Sequence, residues 1–159
     1  MSGTKHFLSD KVSNCDPVMV EILGAPRPQC FRARVTRIYA ARKGVDAASL
    51  GSEIEFVGSP AHWGQSPLAV GNTALVFLKS VSGKLYEEAW HGHLFVEPID
   101  GTTYAIFQQR ELWSSTDVPA SLRDCARQDP KRPNASAVRL DAVEAYLQAL
   151  IAQTDRGAA

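Results

Sequence analysis

Hydrophobic and polar residues alternate with a period of two over much of the first two-thirds of the chain, the pattern of half-buried strands. From Cys30, Phe31, Ala33 and Val35 alternate with Arg32, Arg34 and Thr36; then Ile38 and Ala40 carry the apolar positions, with Arg37 and Tyr39 between them. A period-two pattern that slips by one residue is what a β-bulge produces. Phe31 to Ala41 is therefore read as one long, bent first strand with its bulge at Thr36-Arg37. Gly44 to Gly51 form a turn, and Ile54 and Phe56 alternate with Glu53 and Glu55 in a second strand. Gly58 to Pro67 reads as a loop from its Gly, Pro and Ser content. Ala74 to Leu78 is continuously apolar, as a strand covered on both faces would be. Ser82-Gly83 turns the chain into Leu85-Tyr86, and Asp100-Gly101 joins two further β-rich runs as a hairpin. Pro98 confines its strand to an edge or a bulge.

The ends read differently. Pro17 to Leu23 is apolar but short and broken by Glu21, so residues 1–29 are taken as an N-terminal extension and 30–128 as a β-barrel. Asp129 to Asn134, with two prolines, is a linker. Behind it Val143, Tyr146, Leu147, Leu150 and Ile151 form a helical stripe over 141–153, with Asp141 and Glu144 in capping-box positions. Residues 129–159 are thus a linker and an amphipathic helix packed on the barrel. The fold class is mainly β with a C-terminal helix.

Composition changes this picture little. With 159 residues, 45% apolar and 21% charged, the chain has ordinary globular proportions. No apolar run approaches a membrane span, and residues 1–14 lack the apolar core of a secretory signal. Three widely spaced cysteines, Cys15, Cys30 and Cys125, fit reduced thiols in a cytoplasmic setting better than a disulfide framework, although a Cys15–Cys30 bridge stays open. Net charge is zero, which argues against wholesale nucleic-acid binding. The charge is polarised, however: residues 1–43 hold eight Lys/Arg and three Asp/Glu, whereas residues 44–116 hold three and eight. Arg32, Arg34 and Arg37 face outward together, and cross-strand pairing with Glu53 and Glu55 is the favoured reading of that ladder.

A bulged long first strand, a Gly-containing turn, a second strand and a later Gly-led apolar strand follow the order of an oligonucleotide/oligosaccharide-binding (OB) barrel of five strands. Val35-Thr36-Arg37-Ile38-Tyr39 with Lys43-Gly44, Ile54-Glu55-Phe56 and Gly71 to Leu78 resemble the netrin/tissue-inhibitor-of-metalloproteinases module over residues 30–110. That resemblance implies a closed barrel with helical decoration and a role in binding other proteins. It does not carry over protease inhibition, because that family chelates zinc through an N-terminal cysteine. Here Cys15 lies inside the chain and the family's disulfide set is missing.

Candidate chemistry is sparse. There is no nucleophile elbow, phosphate loop or dinucleotide fingerprint, so no catalytic residue and no cofactor are expected. Cys30 or Cys125 with a histidine makes only an unspecific nucleophile pair. His91 and His93 share one face of a strand as weak metal candidates, with His62 or Glu88 as conceivable further ligands. His62, Trp63 and Trp90 are candidate partner contacts, since loop tryptophans bring large rigid area at low entropy cost. Glu53, Glu55, Glu87, Glu88, Glu97 and Asp100 are read as an acidic cluster able to steer a basic partner. The expected function is a non-enzymatic protein-binding module, an inhibitor or immunity protein of bacterial type that occludes a toxin or enzyme. The alternative is a single-stranded nucleic-acid binder stacking bases on Tyr39, Tyr86 and Trp90 beside Arg32 and Arg34.

Overall fold

The computed structural model describes residues 7–41, 45, 50–58, 67–88, 92–108, 118–132 and 135–157. Among them the chain forms helix α1 (Phe7–Asn14), then strands β1 (Asp16–Arg27), β2 (Cys30–Ile38), β3 (Glu53–Val57), β4 (Thr73–Val81), β5 (Lys84–Glu87), β6 (His93–Ile99) and β7 (Thr102–Gln108). A 3-10 segment (Ala120–Cys125), strands β8 (Ala126–Gln128) and β9 (Ala135–Arg139) and helix α2 (Leu140–Gly157) complete it. No helix among these residues is long and apolar enough to cross a membrane.

Five strands close into a barrel in the order β1-β2-β3-β5-β4, with β4 returning to β1. This is the OB-like arrangement, and its long first strand is bulged. That strand is β1, however, and the segment read as the first strand is β2, ending at Ile38. The misreading has a physical cause: Glu21, which interrupts the apolar run, points outward and meets Arg34 at 2.9 Å. Val18, Val20 and Ile22 on the same strand fill the barrel. Pairing shifts between Ile22 and Gly24 and again before Arg27 give β1 its irregular end.

The bulge expected at Thr36-Arg37 is present. Met19 lies opposite Arg37 and Val20 opposite Val35, so Thr36 is the extra residue. The residues beyond it differ from the expected parity. Tyr39 and Ala40 are buried, whereas Ile38 is 43% exposed.

Strand β4 is covered on both faces, as its continuous apolar run requires. Ala74, Val76 and Leu78 enter the barrel. Leu75 and Phe77 enter a second core shared with Leu8 and Val12 of α1 and Val143, Leu147 and Ile151 of α2. From β4 a sheet runs outward through β6, β7, β9 and β8. The β8–β9 pair and α1 were not legible in the sequence, and the supposed linker between β8 and β9 is an ordered turn in part. Asp129 Oδ1 accepts from the Lys131 backbone N–H at 2.9 Å. Ser82 and Gly83 (φ 52° and 81°) and Asp100 and Gly101 (φ 52° and 85°) make the two tight hairpins in the left-handed region those turns demand. Pro98 lies beyond Phe95, the last β6 residue paired with β4, so its missing donor costs no bond to that strand.

One edge of β4 is shared by two strands. Ala74 to Val76 face β6, and Leu78 to Val81 face β5. At the fork, Phe77 N–H donates to Gly92 O and Phe77 O accepts from Glu88 N–H, each at 2.9 Å. A Cβ on Gly92 would lie 2.1 Å from Glu88 O and 2.5 Å from Glu87 Cγ. Gly92→Ala is therefore expected to lower stability by about 1–3 kcal/mol, the usual range for overpacking, as read from urea unfolding monitored by far-UV circular dichroism.

Candidate functional site

The barrel is not evenly sealed. Strand β3 pairs with β2 along its whole length, from Val57 opposite Cys30 to Glu53 opposite Arg34. On its other side it meets β5 only where Val57 lies opposite Tyr86, in parallel. From that point the two strands diverge, and a groove of about 540 Å3 opens between them. Ile54, Phe56 and Leu85 supply its apolar lining, while Arg27, Glu53, Glu55 and Lys84 supply charge. That volume falls within the range of about 300–1,000 Å3 common for ligand sites.

Charge around the groove is largely paired. Arg32 meets Glu53 at 3.0 Å and Arg27 meets Glu55 at 3.5 Å, all four side chains being half-exposed. Arg37 is bound by Glu144 of α2, which also accepts from the Tyr39 hydroxyl. Glu144 therefore faces Arg37 and Tyr39, and its side chain is not spent on a capping box. The arginine ladder is thus a set of cross-strand and helix–strand ion pairs, each worth about 0.2–1 kcal/mol where exposed. Lys84 is exposed and has no carboxylate partner among the described residues.

At the fork of β4 lies a buried polar pair. His93 stands opposite Val76 and Glu87 opposite Leu78, so both side chains share the barrel-facing side of the sheet. His93 Nδ1 is 2.5 Å from Glu87 Oε2, and each side chain is 2% exposed. The His93 and Phe95 rings pack in a T shape with centroids 4.8 Å apart, and Arg132 lies over the Phe95 ring at 4.9 Å. Arg132 then grips Glu97 through two bonds of 3.1 and 2.7 Å and Asp129 through one of 2.8 Å. On the other face, Glu88 takes Lys79 at 2.8 Å and a bond from Cys15 Sγ at 3.4 Å, beside buried Lys11. Burial, followed by the charge of Glu88, pushes the Cys15 thiol up to about 12. Burial lowers the Lys11 ammonium despite Glu88 nearby. Burial would raise Glu88, but the Lys79 bond and the Lys11 charge together hold it below the usual carboxylate range.

These positions revise several expectations. Glu53 and Glu55 are exposed on β3 and border the groove. Glu87 is sealed against His93, so it contributes nothing to an accessible acidic face. Glu88, Glu97 and Asp100 are each tied to a cation, Asp100 to Arg127 at 3.2 Å. The six acidic residues therefore do not form one steering patch. His93 is the one histidine among the described residues; His62, Trp63, Trp90 and His91 lie outside them. No described group of three or more His, Cys, Asp or Glu residues is arranged to hold a metal. All three cysteines are free thiols, which closes the Cys15–Cys30 alternative. Cys30 accepts from Arg27 at 3.2 Å and Cys125 from Arg139 at 3.4 Å. The groove residues Arg27, Lys84 and Leu85 were not singled out in the sequence; the Ser82-Gly83 turn, which marks the hairpin bearing two of them, was the available signal.

No family model, curated protein or solved structure matches the chain.

Glu87→Ala and His93→Ala each break a buried carboxyl–imidazole contact and are expected to cost about 3–5 kcal/mol, measured by urea denaturation. Glu97 behaves differently, through pH. The Arg132 bond holds its carboxyl below the usual range in the folded chain. Its contribution is therefore complete above the ordinary value of about 4.3 and is lost as pH falls through the folded value. In Glu97→Gln the decline of unfolding free energy below about pH 5 should be shallower than in the wild type.

Proposed function

We propose that the protein is a non-enzymatic protein-binding module of inhibitor or immunity type, which seats part of a toxin or enzyme partner at the groove between β3 and β5. The observation that carries this reading is that a single residue pair joins β3 to β5. A rigid scaffold leaves two strands joined by one residue pair, with apolar lining and charged rims in the gap. Grooves of that character on rigid scaffolds are the usual places for recognition.

Two features weigh against the other readings. Nucleic-acid binding needs free cations tracking a backbone and aromatic faces for bases. Here Arg32, Arg34 and Arg37 are engaged by carboxylates, Tyr39 is buried and Tyr86 is half-buried. For catalysis, the carboxylate–imidazole pair is closed off from solvent, and the Cys15 thiol is pushed up, opposite to what a nucleophile requires. Cys15 is also buried and held by Glu88, so the occlusion proposed here works by surface contact and not by zinc chelation through a cysteine.

The test pairs two measurements. The immobilised full chain should retain a polypeptide from lysate that Lys84→Glu retains at least tenfold less, with Arg127→Ala, on β8 at the far end of the outer sheet, as the unaffected control. Fluorescence anisotropy with labelled single-stranded oligonucleotides should stay flat at low salt, where electrostatic binding is strongest. Retention of no polypeptide, or a salt-dependent oligonucleotide isotherm, overturns the proposal.

A further inference from the structure

The mode of binding can be read from the backbone of β3. The Gly58 N–H donates to Gln29 O, and the Val35 N–H donates to Ser52 O. With the register between β2 and β3 unbroken, residues 52, 54, 56 and 58 therefore exchange bonds with β2. The backbone groups of Glu53, Glu55 and Val57 must point the other way, toward β5. Val57 finds Tyr86 there, whereas Glu53 and Glu55 meet no described strand. Their N–H and C=O groups project along the groove edge. An apolar ligand would leave these groups unsatisfied, while an extended polypeptide satisfies them in alternation.

We infer that the groove binds an extended segment of the partner by strand addition to β3, with an acidic side chain of that segment meeting Lys84. This rests on the protein-binding reading above and names how it is done. The charge requirement follows from what is already paired. Arg27, Arg32, Glu53 and Glu55 satisfy one another around the rim, and Lys84 is left without a carboxylate among the described residues. Between its acidic position and its neighbours the segment alternates, because every second side chain turns inward over Ile54 and Leu85. A second copy of this chain is a poor occupant. Antiparallel β3–β3 pairing sets Glu53 and Glu55 against glutamates of the other copy, and like charges directly opposite are destabilising.

The experiment uses Glu55→Pro in the full chain. Proline removes the N–H that points into the groove, leaves the β2–β3 ladder its bonds, and is tolerated on a strand edge. Glu55→Thr removes the same charge and keeps the donor. A displayed library of random linear decapeptides is selected on the wild type, and a synthetic selected peptide is titrated by fluorescence anisotropy. Expected are a Kd for Glu55→Pro raised at least tenfold, a Kd for Glu55→Thr within about threefold of the wild type, and a thermal midpoint for Glu55→Pro within about 5 °C of that of Glu55→Thr. Selected peptides should be enriched in Asp or Glu, and amide exchange at Glu53 and Glu55 should slow on binding. Equal affinity of wild type and Glu55→Pro, or a library that yields no binder, overturns strand addition. If wild type and Glu55→Pro retain the lysate partner equally, the protein-binding reading survives and this inference falls. If neither retains a partner, both fall. A wild-type dimer in sedimentation that Glu55→Pro abolishes assigns the edge to a second copy, which also overturns it.

Discussion

The architecture depends on how the hydrogen-bonding edge of β4 is divided. One strand edge offers a single row of donors and acceptors, and here that row serves β6 over Ala74 to Val76 and β5 over Leu78 to Val81. The change of partner occurs at Phe77, whose amide and carbonyl go to the two sides of the fork. Both chain segments must come within bonding distance of one residue. That crowding explains why position 92 is glycine and why a carboxylate and an imidazole are buried together. The Glu87–His93 pair ties the end of β5 to the start of β6, across the place where the main-chain ladder cannot be continuous. A buried polar pair is weak evidence for net stability, because the desolvation of its groups offsets their attraction. Its use here is positional: a mispaired register would separate the two groups.

The groove follows from the same constraint. Because β5 holds β4 only beyond the fork, it is four residues long and turns back at Ser82-Gly83. It can reach β3 at one pair before diverging. A longer β5 would zip along β3 and fill the groove, and it would consume the backbone groups of Glu53 and Glu55. The opening is therefore a geometric consequence of attaching a second sheet to β4. The second core, with α1 and α2 against Leu75 and Phe77, holds that attachment rigid.

Much of the fold was legible in the chain itself, for identifiable reasons. The bulge at Thr36 announced itself as a change of parity. The double coverage of β4 showed in five consecutive apolar residues, and both tight hairpins were marked by residues suited to positive φ. Where the reading failed, a tertiary partner had rewritten a local signal. Glu21 made β1 look interrupted, yet its charge is met by Arg34 on a strand thirteen residues away. Ile38 looked buried by alternation, but beyond the bulge Tyr39 turns inward to reach Glu144, more than a hundred residues distant. The β8–β9 pair was hidden by Pro130 and Pro133, which stand between its two strands in the sequence. The site was less legible than the fold, because a groove formed by two strands failing to meet leaves no residue pattern.

Glu87 shows the limit most clearly. Adjacent glutamates on a strand face opposite ways, which the sequence does state, but it does not state which side is wet. One of the two closes the barrel against His93 and the other joins Lys79 and Cys15 under α1, so neither is offered to a partner. The polarised charge of the chain has the same resolution. Among the described residues the basic first segment and the acidic middle pair within the fold, through Arg32–Glu53 and Arg27–Glu55. Long-range steering needs an uncompensated field, and pairing among the described residues weakens it. The recognition proposed for this barrel therefore rests on short-range features, the open edge of β3 and the apolar lining beside it, which act only once a partner is in contact.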